Sequence, residues 1–351
     1  MKLLALIEQP DHVCYRYRVA ALFPFLQARG WSLEVVPLAA GVVARARQLL
    51  RASQARVVLL QRKLLPLWQL SLLRKRARVL VYDFDDALFH RDSYSSRNLR
   101  SWKRLAHFWA TVYSADCVLA GNPYLRQKAQ ELSEPGRVFL MPTCLDPDRY
   151  PVSTHLRWGE QVKLVWIGQQ STLACLHYLE GAFALCRRRL PGLELHVICD
   201  HFPRLQEIVV VPRPWSQDRE AQLLAQADIG ISWLPNDPWS LGKCGLKVLQ
   251  YMAAGLPVVA NPVGMNRQMV LHGRTGFLAS TPAEWAEAIL RLACDPQLRR
   301  RMGAEARRLV QRHWSVQRWG PVWAELIQQA ATAGAPPESK TAFSLPWHAT
   351  R

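Results

Sequence analysis

Hydrophobic and polar positions alternate between two patterns along the chain. Short apolar runs bounded by Gly, Pro or polar residues predict buried strands at Lys2–Ile7, Ser32–Val36, Arg56–Leu60, Arg78–Tyr82, Cys117–Ala120 and Arg137–Met141. Between them lie segments with helical spacing. Arg16–Ala28 places Val19, Leu22, Phe23 and Leu26 on one face and stops at Gly30, and Val42–Arg51, Arg97–Tyr113 and Pro123–Leu132 follow. The second half repeats the alternation. Strands are predicted at Lys163–Ile167, Glu194–Cys199, Ile208–Val211, Asp228–Trp233 and Pro257–Ala260. Helices are predicted at Thr172–Arg189, Asp218–Ala227, Leu246–Ala254, Asn266–His272, Pro282–Ala293, Gln297–Arg312 and Val316–Ala331.

Strand–helix alternation of this kind calls for parallel sheets with crossover helices on both faces. The expected class is therefore α/β, with two doubly wound, Rossmann-like domains and a cleft between them. Pro147, Pro151 and Gly159 punctuate a polar stretch at Asp146–Glu160, so the first domain is expected over 1–155 and the second over 156–315. A last helix covers 316–331, and a mobile tail with Gly334, Pro336 and Pro337 covers 332–351.

Composition narrows the class. With 351 residues, 50% of them hydrophobic, and 14 Trp, the chain is long and apolar enough for two packed cores, which excludes a disordered or fibrous protein. No run of uncharged apolar residues is long enough for a spanning helix, and the apolar start at Met1–Ile7 is broken at once by Glu8, Pro10 and Asp11. The 8 Cys form no C-x-x-C pair, which fits buried free thiols in a reducing cytosol better than zinc sites or disulfides. The net charge of +18 changes the picture most. It implies an anionic partner: a phosphate-bearing small molecule, an anionic membrane surface or a nucleic acid. No nucleic-acid motif is present, and the loop after the first strand lacks a Gly-x-Gly-x-x-Gly turn.

In open α/β sheets ligands gather at the carboxyl ends of the strands, so the loops there carry the candidate chemistry. Gly168-Gln169-Gln170-Ser171-Thr172 follows a strand and opens a helix. That is either an anion site made of free N–H groups or a plain N-cap by Ser171 or Thr172. Leu241-Gly242-Lys243-Cys244-Gly245-Leu246-Lys247 puts two glycines and two lysines at the mouth of a helix. Continued as helix, it would place Lys243 and Lys247 on one face as a phosphate clamp; the alternative is a solvated basic turn. Tyr82-Asp83-Phe84-Asp85-Asp86 clusters carboxylates that can raise one another's pKa, with Asp85 or Asp86 the candidate general base. A divalent-metal site or a helix cap are the other readings of that cluster. Arg16 and Arg18 follow the first strand and are candidate contacts to an anionic acceptor or to phosphate. Leu64–Arg78 is an apolar stretch with Trp68 and a basic end, either a helix on an anionic bilayer or a packed helix with a solvated end. Ser101-Trp102-Lys103-Arg104 invites the same two readings.

The segment Met252-Ala253-Ala254-Gly255-Leu256-Pro257-Val258-Val259-Ala260, followed by Val263-Gly264, resembles the donor-binding region of the group 1 (family 4) glycosyltransferases of the GT-B fold. The likeness extends to Asp228-Ile229-Gly230-Ile231 and to Gly273-Arg274-Thr275-Gly276-Phe277, and covers most of 163–315. One departure stands out. Where the family usually carries a Glu-x7-Glu pair, this chain has Gly242 and Gln250, which resembles a subgroup with a Gly-Lys-Cys-Gly-x-Lys pattern.

The resemblance implies an acceptor-binding first domain, a donor-binding second domain and a C-terminal helix that crosses back to the first. It implies transfer of a hexose from a nucleotide-diphosphate sugar to a glycan or lipid-linked acceptor, with retention, in cell-surface polysaccharide or glycolipid synthesis. The donor is a co-substrate, and no metal or other cofactor is expected. Gly168, Ser171, Thr172, Gly242, Gly245, Gln250 and Gly264 are expected around the donor, with Gln250 on the ribose and Lys243 and Lys247 on the diphosphate. Asp85 or Asp86 would take or orient the acceptor proton. The expected location is cytoplasmic, with a peripheral place on the cytoplasmic face of the inner membrane. A nucleotide-sugar epimerase on the same fold and a non-catalytic basic binding protein are the alternative readings.

Overall fold

The computed structural model describes residues 1–333. The chain divides into two compact units. The first comprises Met1–Cys144, the short segment Leu241–Cys244 and the C-terminal helix; the second comprises Leu145–Ser240 and Gly245–Ser315. The division falls at 144/145, earlier than the expected 155/156. Residues after Leu145 are tied to the second unit: the Leu145 N–H donates to the Trp314 carbonyl, and the Ser153 hydroxyl to the Ala227 carbonyl. Residues 332 and 333 of the expected tail belong to the last helix, which runs to Ala333; the rest of that tail lies outside the described residues.

In the first unit, β1 (Lys2–Ile7), β2 (Ser32–Pro37), β3 (Val57–Gln61), β4 (Leu80–Phe84), β5 (Cys117–Ala120) and β6 (Val138–Leu140) form a parallel sheet in the order β2-β1-β3-β4-β5-β6. The helices between them are α1 (Val13–Tyr15), α2 (Phe23–Gln27), α3 (Val42–Leu50), α4 (Leu67–Arg76), α5 (Trp102–Ser114) and α6 (Pro123–Gln130). Strands β3 and β4 are buried throughout, the mark of a sheet covered on both faces. The expected single helix over Arg16–Ala28 is instead broken into a π-helical stretch at Arg16–Ala20, which continues α1, and a separate α2 with Pro24 in its first turn.

In the second unit, β7 (Lys163–Ile167), β8 (Glu194–Cys199), β9 (Val209–Pro214), β10 (Ile229–Ser232), β11 (Val258–Ala260) and β12 (Gly276–Leu278) form a second parallel sheet, ordered β12-β11-β10-β7-β8-β9. Its helices are α7 (Glu180–Arg187), α8 (Glu220–Ala225), α9 (Pro238–Leu241), which ends in the first unit's segment, α10 (Leu246–Ala253), α11 (Met265–Met269), α12 (Pro282–Ala293) and α13 (Pro296–His313). Local sequence explains several starts. Thr281 and Glu284 form a reciprocal capping box with Pro282 in the first turn of α12, and Asp295 caps α13 ahead of Pro296.

The last helix, α14 (Val316–Ala333), belongs to the first unit. It buries Trp319, Trp323 and Ile327 against Val19, Leu22 and Leu26 and the facing strand residues Leu3, Ala5, Val57 and Leu59. Full burial of side chains this size contributes about 1.5–3 kcal/mol each, so α14 is a structural part of that core.

Candidate active site

Two groups of polar residues sit at strand carboxyl ends, one in each unit. In the first unit, β4 ends on Asp83 and Phe84 and hands over to Asp85 and Asp86. Asp83 is therefore a strand residue and not part of an open loop. Arg18 meets it in a two-pronged ion pair, Nε to Oδ2 at 2.8 Å and Nη2 to Oδ1 at 2.6 Å, with a third bond to the Thr143 hydroxyl at 3.3 Å. Both side chains are almost wholly buried, at 2% and 1% exposure. Arg18 thus has its fork filled from within, which corrects its expected role as an acceptor or phosphate contact. Arg16 donates to the Tyr17 hydroxyl at 2.9 Å and lies over that ring.

Arg62, directly after β3, joins the next two carboxylates. Its Nη1 lies 3.3 Å from Asp85 Oδ1 and 3.0 Å from the Cys14 sulfur, and its Nη2 pairs with Asp86. Its backbone is left-handed at φ 56°, a conformation a non-glycine residue rarely holds without support. The support is visible: its N–H donates to the Asp83 carbonyl at 2.7 Å. Lys243 approaches Asp86 from the Leu241–Cys244 segment, Nζ to Oδ1 at 2.9 Å. That segment is pinned by Asn122, whose amide donates to the carbonyls of Leu241 and Lys243 at 3.0 Å each. Three cations and three carboxylates thus interlock.

This arrangement reverses the expected electrostatics of Asp85. Burial pushes the Asp85 carboxyl up, but Arg62 and Arg18 outweigh it and hold the group below its ordinary range. Asp85 is ionised at neutral pH, an acceptor of hydrogen bonds and a weak base. Burial likewise opposes the charge on Arg62, and Asp86 and Asp85 override it. Burial, followed by Asp85, keeps the Cys244 thiol protonated.

Gly242 shows why the family's first glutamate has no place here. A Cβ built on Gly242 would stand 2.5 Å from the Ala87 nitrogen and 2.6 Å from its Cβ. The backbone fills the space that a side chain would need.

The second group belongs to the second unit. Lys247 lies in the first turn of α10, its ammonium 4.0 Å from the centre of the Trp166 ring and 3.3 Å from the Thr172 hydroxyl. Gly168 permits this approach, since a Cβ there would fall 2.4 Å from the Trp166 ring and 2.6 Å from the Lys247 nitrogen. Helix α10 begins at Leu246 behind a left-handed Gly245, so Lys243 is not on it, and the expected shared helical face of Lys243 and Lys247 does not exist. Ser171 and Thr172 are not N-caps. The element is a 3-10 helix over Gln170–Leu179 that follows Gln169, and the Thr172 hydroxyl donates back to the Gln169 carbonyl. Ser171 is exposed. Gln250 is 4% exposed and donates to the Tyr150 hydroxyl at 3.3 Å, so its amide is turned inward and not offered to a ribose. Gly264 precedes α11.

Residues 161–295 match the family described as glycosyl transferases group 1. Within the matched residues lie Trp166, Gly168, Thr172 and Lys247. A D-inositol 3-phosphate glycosyltransferase of Pseudarthrobacter chlorophenolicus is 30% identical over 162 residues, 41% of this chain and 37% of that protein. The chain spans only 14 to 37% of the length of the curated relatives it matches. Among solved structures, sucrose-phosphate synthase from Thermosynechococcus elongatus superposes with a TM-score of 0.70 at 16% identity, over 95% of this chain and 99% of that one. HepE from Anabaena, solved with UDP and glucose, gives a TM-score of 0.70 at 16% identity over 93% and 99%. At such identities the likeness is one of fold, and the α/β fold with its two six-stranded parallel sheets is of the GT-B type.

Arg62, Trp166, Tyr150 and Cys14 complete these groups and were not singled out from the sequence. Arg62 carried one usable signal, a basic residue at the carboxyl end of a predicted strand. Trp166 carried none, because its neighbour Lys247 is distant along the chain.

Proposed function

We propose that the chain is a hexosyltransferase that moves a sugar from a nucleotide-diphosphate donor to an acceptor hydroxyl, in the assembly of a cell-surface polysaccharide or glycolipid. The observation that carries the reading is the group 1 match over 161–295 together with Lys247 held at the carboxyl end of β7. Negative charge grows on the diphosphate as the glycosidic bond breaks. An ammonium fixed by Trp166 and Thr172 needs no rearrangement to meet that charge. In this reading the leaving group is stabilised by protein groups, and no metal is assigned. The glucose and UDP held by HepE support a nucleotide-sugar donor.

The acceptor belongs in this proposal to the first unit. Asp85, paired with Arg62, and Asp86, paired with Arg62 and Lys243, suit a role in orienting the acceptor hydroxyl through a hydrogen bond. Strong proton abstraction does not suit Asp85, because a depressed pKa makes a weak base. Lys243 then acts through Asp86. The Gly-Lys-Cys-Gly-x-Lys pattern is part of the same proposal. Its first glycine clears Ala87, its lysine reaches Asp86, and its second lysine is Lys247. Retention of anomeric configuration is carried with the family resemblance, as is a cytoplasmic location. Glycan or lipid-linked acceptors and an anionic bilayer surface complete the partners.

A binding screen against UDP-, GDP-, ADP- and TDP-sugars, followed by release of the nucleotide diphosphate in the presence of candidate acceptors, tests the reading. One donor bound and turned over supports it. No donor bound by any measure overturns it.

A further inference from the structure

We infer that the α3–α4–α5 face of the first unit is a docking surface for an anionic lipid bilayer. The inference extends the membrane partner named above, but it concerns where the chain sits and not what it transfers, so it stands without the transferase reading.

The sheet order β2-β1-β3-β4-β5-β6 and right-handed crossovers put α3, α4 and α5 on one face of the sheet, with their N-terminal ends at the carboxyl edge of the strands. The opposite face is covered by α2 and α14. Helix α5 is apolar on two sides. Phe108 and Val112 point into the core, as an ordinary domain helix requires. On its other side Trp102, Ala106, Trp109 and Tyr113 recur at helical spacing and form an outward stripe. Trp102 is 82% exposed, Trp109 51% and Tyr113 78%. The neighbouring helices begin on exposed apolar residues too: Val42 and Val43 on α3, Leu67 and Trp68 on α4. Seven large exposed apolar side chains on three helices of one face are rare where that face meets only water.

Charge selects the occupant. The three helices carry Arg45, Arg47, Arg74, Lys75, Arg76, Lys103 and Arg104 and not one Asp or Glu. Arg74 is engaged with Asp116, and Arg45 with the carbonyls of Ala39 and Ala40. Arg47, Lys75, Arg76, Lys103 and Arg104 are exposed. Tryptophan and tyrosine between cations is the pattern of an interfacial helix that lies in the headgroup layer of an anionic leaflet. No helix among the described residues is long and apolar enough to cross a membrane, so the contact is with the surface. The sequence offered Leu64–Arg78 and Ser101-Trp102-Lys103-Arg104 for this role, each with a packed helix as the other reading. In the structure Leu65, Leu70 and Leu73 are core residues, and α5 supplies the main stripe.

Co-sedimentation of the whole chain with vesicles of equal phosphatidylglycerol and phosphatidylcholine, and with phosphatidylcholine alone, tests this. The parent is expected to bind the anionic vesicles and to lose that binding in high salt and on the neutral vesicles. Trp102→Ser/Trp109→Ser/Tyr113→Ser is expected to weaken binding at least tenfold with an unchanged circular dichroism spectrum, since all three side chains are exposed. Lys103→Glu/Arg104→Glu is expected to weaken binding to the anionic vesicles. Failure of the parent to bind, or equal binding by the triple variant, overturns the inference. So does light scattering that finds a dimer which the triple variant dissolves, since the face would then be filled by a second copy.

Discussion

Arg18 and Asp83 offer a perturbation whose outcome can be worked from the structure. Their ion pair is two-pronged and almost fully buried, with Asp83 at the end of the central strand β4. The two shifts bear on it in opposite senses. Burial pushes the Asp83 carboxyl up despite Arg18, whereas Asp83 overcomes the burial of Arg18 and holds it charged. The geometry, with both carboxylate oxygens met, decides for the ionised pair. Replacing Asp83 by Leu strands a guanidinium that cannot shed its proton, at a cost of about 3–5 kcal/mol. Replacing Arg18 by Met strands a carboxyl that can take up a proton, so its cost is smaller and shrinks further as pH falls from 7 towards 5. The double variant Arg18→Met/Asp83→Leu leaves no charge behind and should recover most of the loss. Because two units need not unfold together, the measurement is hydrogen exchange of the β4 amides at several urea concentrations. Singles within about 1 kcal/mol of the parent, or a costlier Arg18→Met than Asp83→Leu, would refute the reasoning.

Further outcomes follow from other residues. Gly242→Glu, which restores the family's usual residue type, should lower stability and impair donor turnover, since its Cβ meets Ala87; a variant as stable as the parent would show that the segment can shift. Seven of the cysteines are buried and Cys294 is exposed, so a thiol reagent at pH 8 should consume one thiol rapidly and the others only on unfolding. Burial, aided by Arg299 and opposed by the bond to the Gly255 carbonyl, lowers the pKa of His155. The unfolded chain then binds more protons than the folded one below about pH 6.5, so this contribution to stability is full above that pH and declines below it. His155→Asn, which tolerates the left-handed backbone there, should flatten the decline seen in thermal melts between pH 7 and 5.5; an unchanged slope would assign it to other groups.

Much of the fold was legible because strands buried on both faces leave unbroken apolar runs. Lys2–Ile7, Cys117–Ala120, Lys163–Ile167 and Glu194–Cys199 lie where the runs place them. Pro282–Ala293 was equally legible, since its cap and its period agree. Misses arose where one residue changes the backbone. Gly245 in the left-handed region starts α10 too late to include Lys243, and the ten residues after Gln169 take the 3-10 form before α7 begins. Strand β12 has only three residues, too few for a period. The candidate site was legible as a set of strand-end loops but not as a set of pairs. That Lys243 meets Asp86, that Arg62 bridges Asp85 and Asp86, and that Lys247 rests on Trp166 are facts of tertiary packing between distant segments.

The central claim is that Lys247 serves a diphosphate. Calorimetric titration of the parent and of Lys247→Ala with the nucleotide diphosphate that the donor screen selects, and with its bare nucleoside, measures it directly. A charge-assisted bond of about 1.5–3 kcal/mol corresponds to about 10- to 100-fold weaker diphosphate binding in the variant, with nucleoside affinity unchanged. Equal diphosphate affinity in the two proteins, or an equal loss for both ligands, would contradict the account.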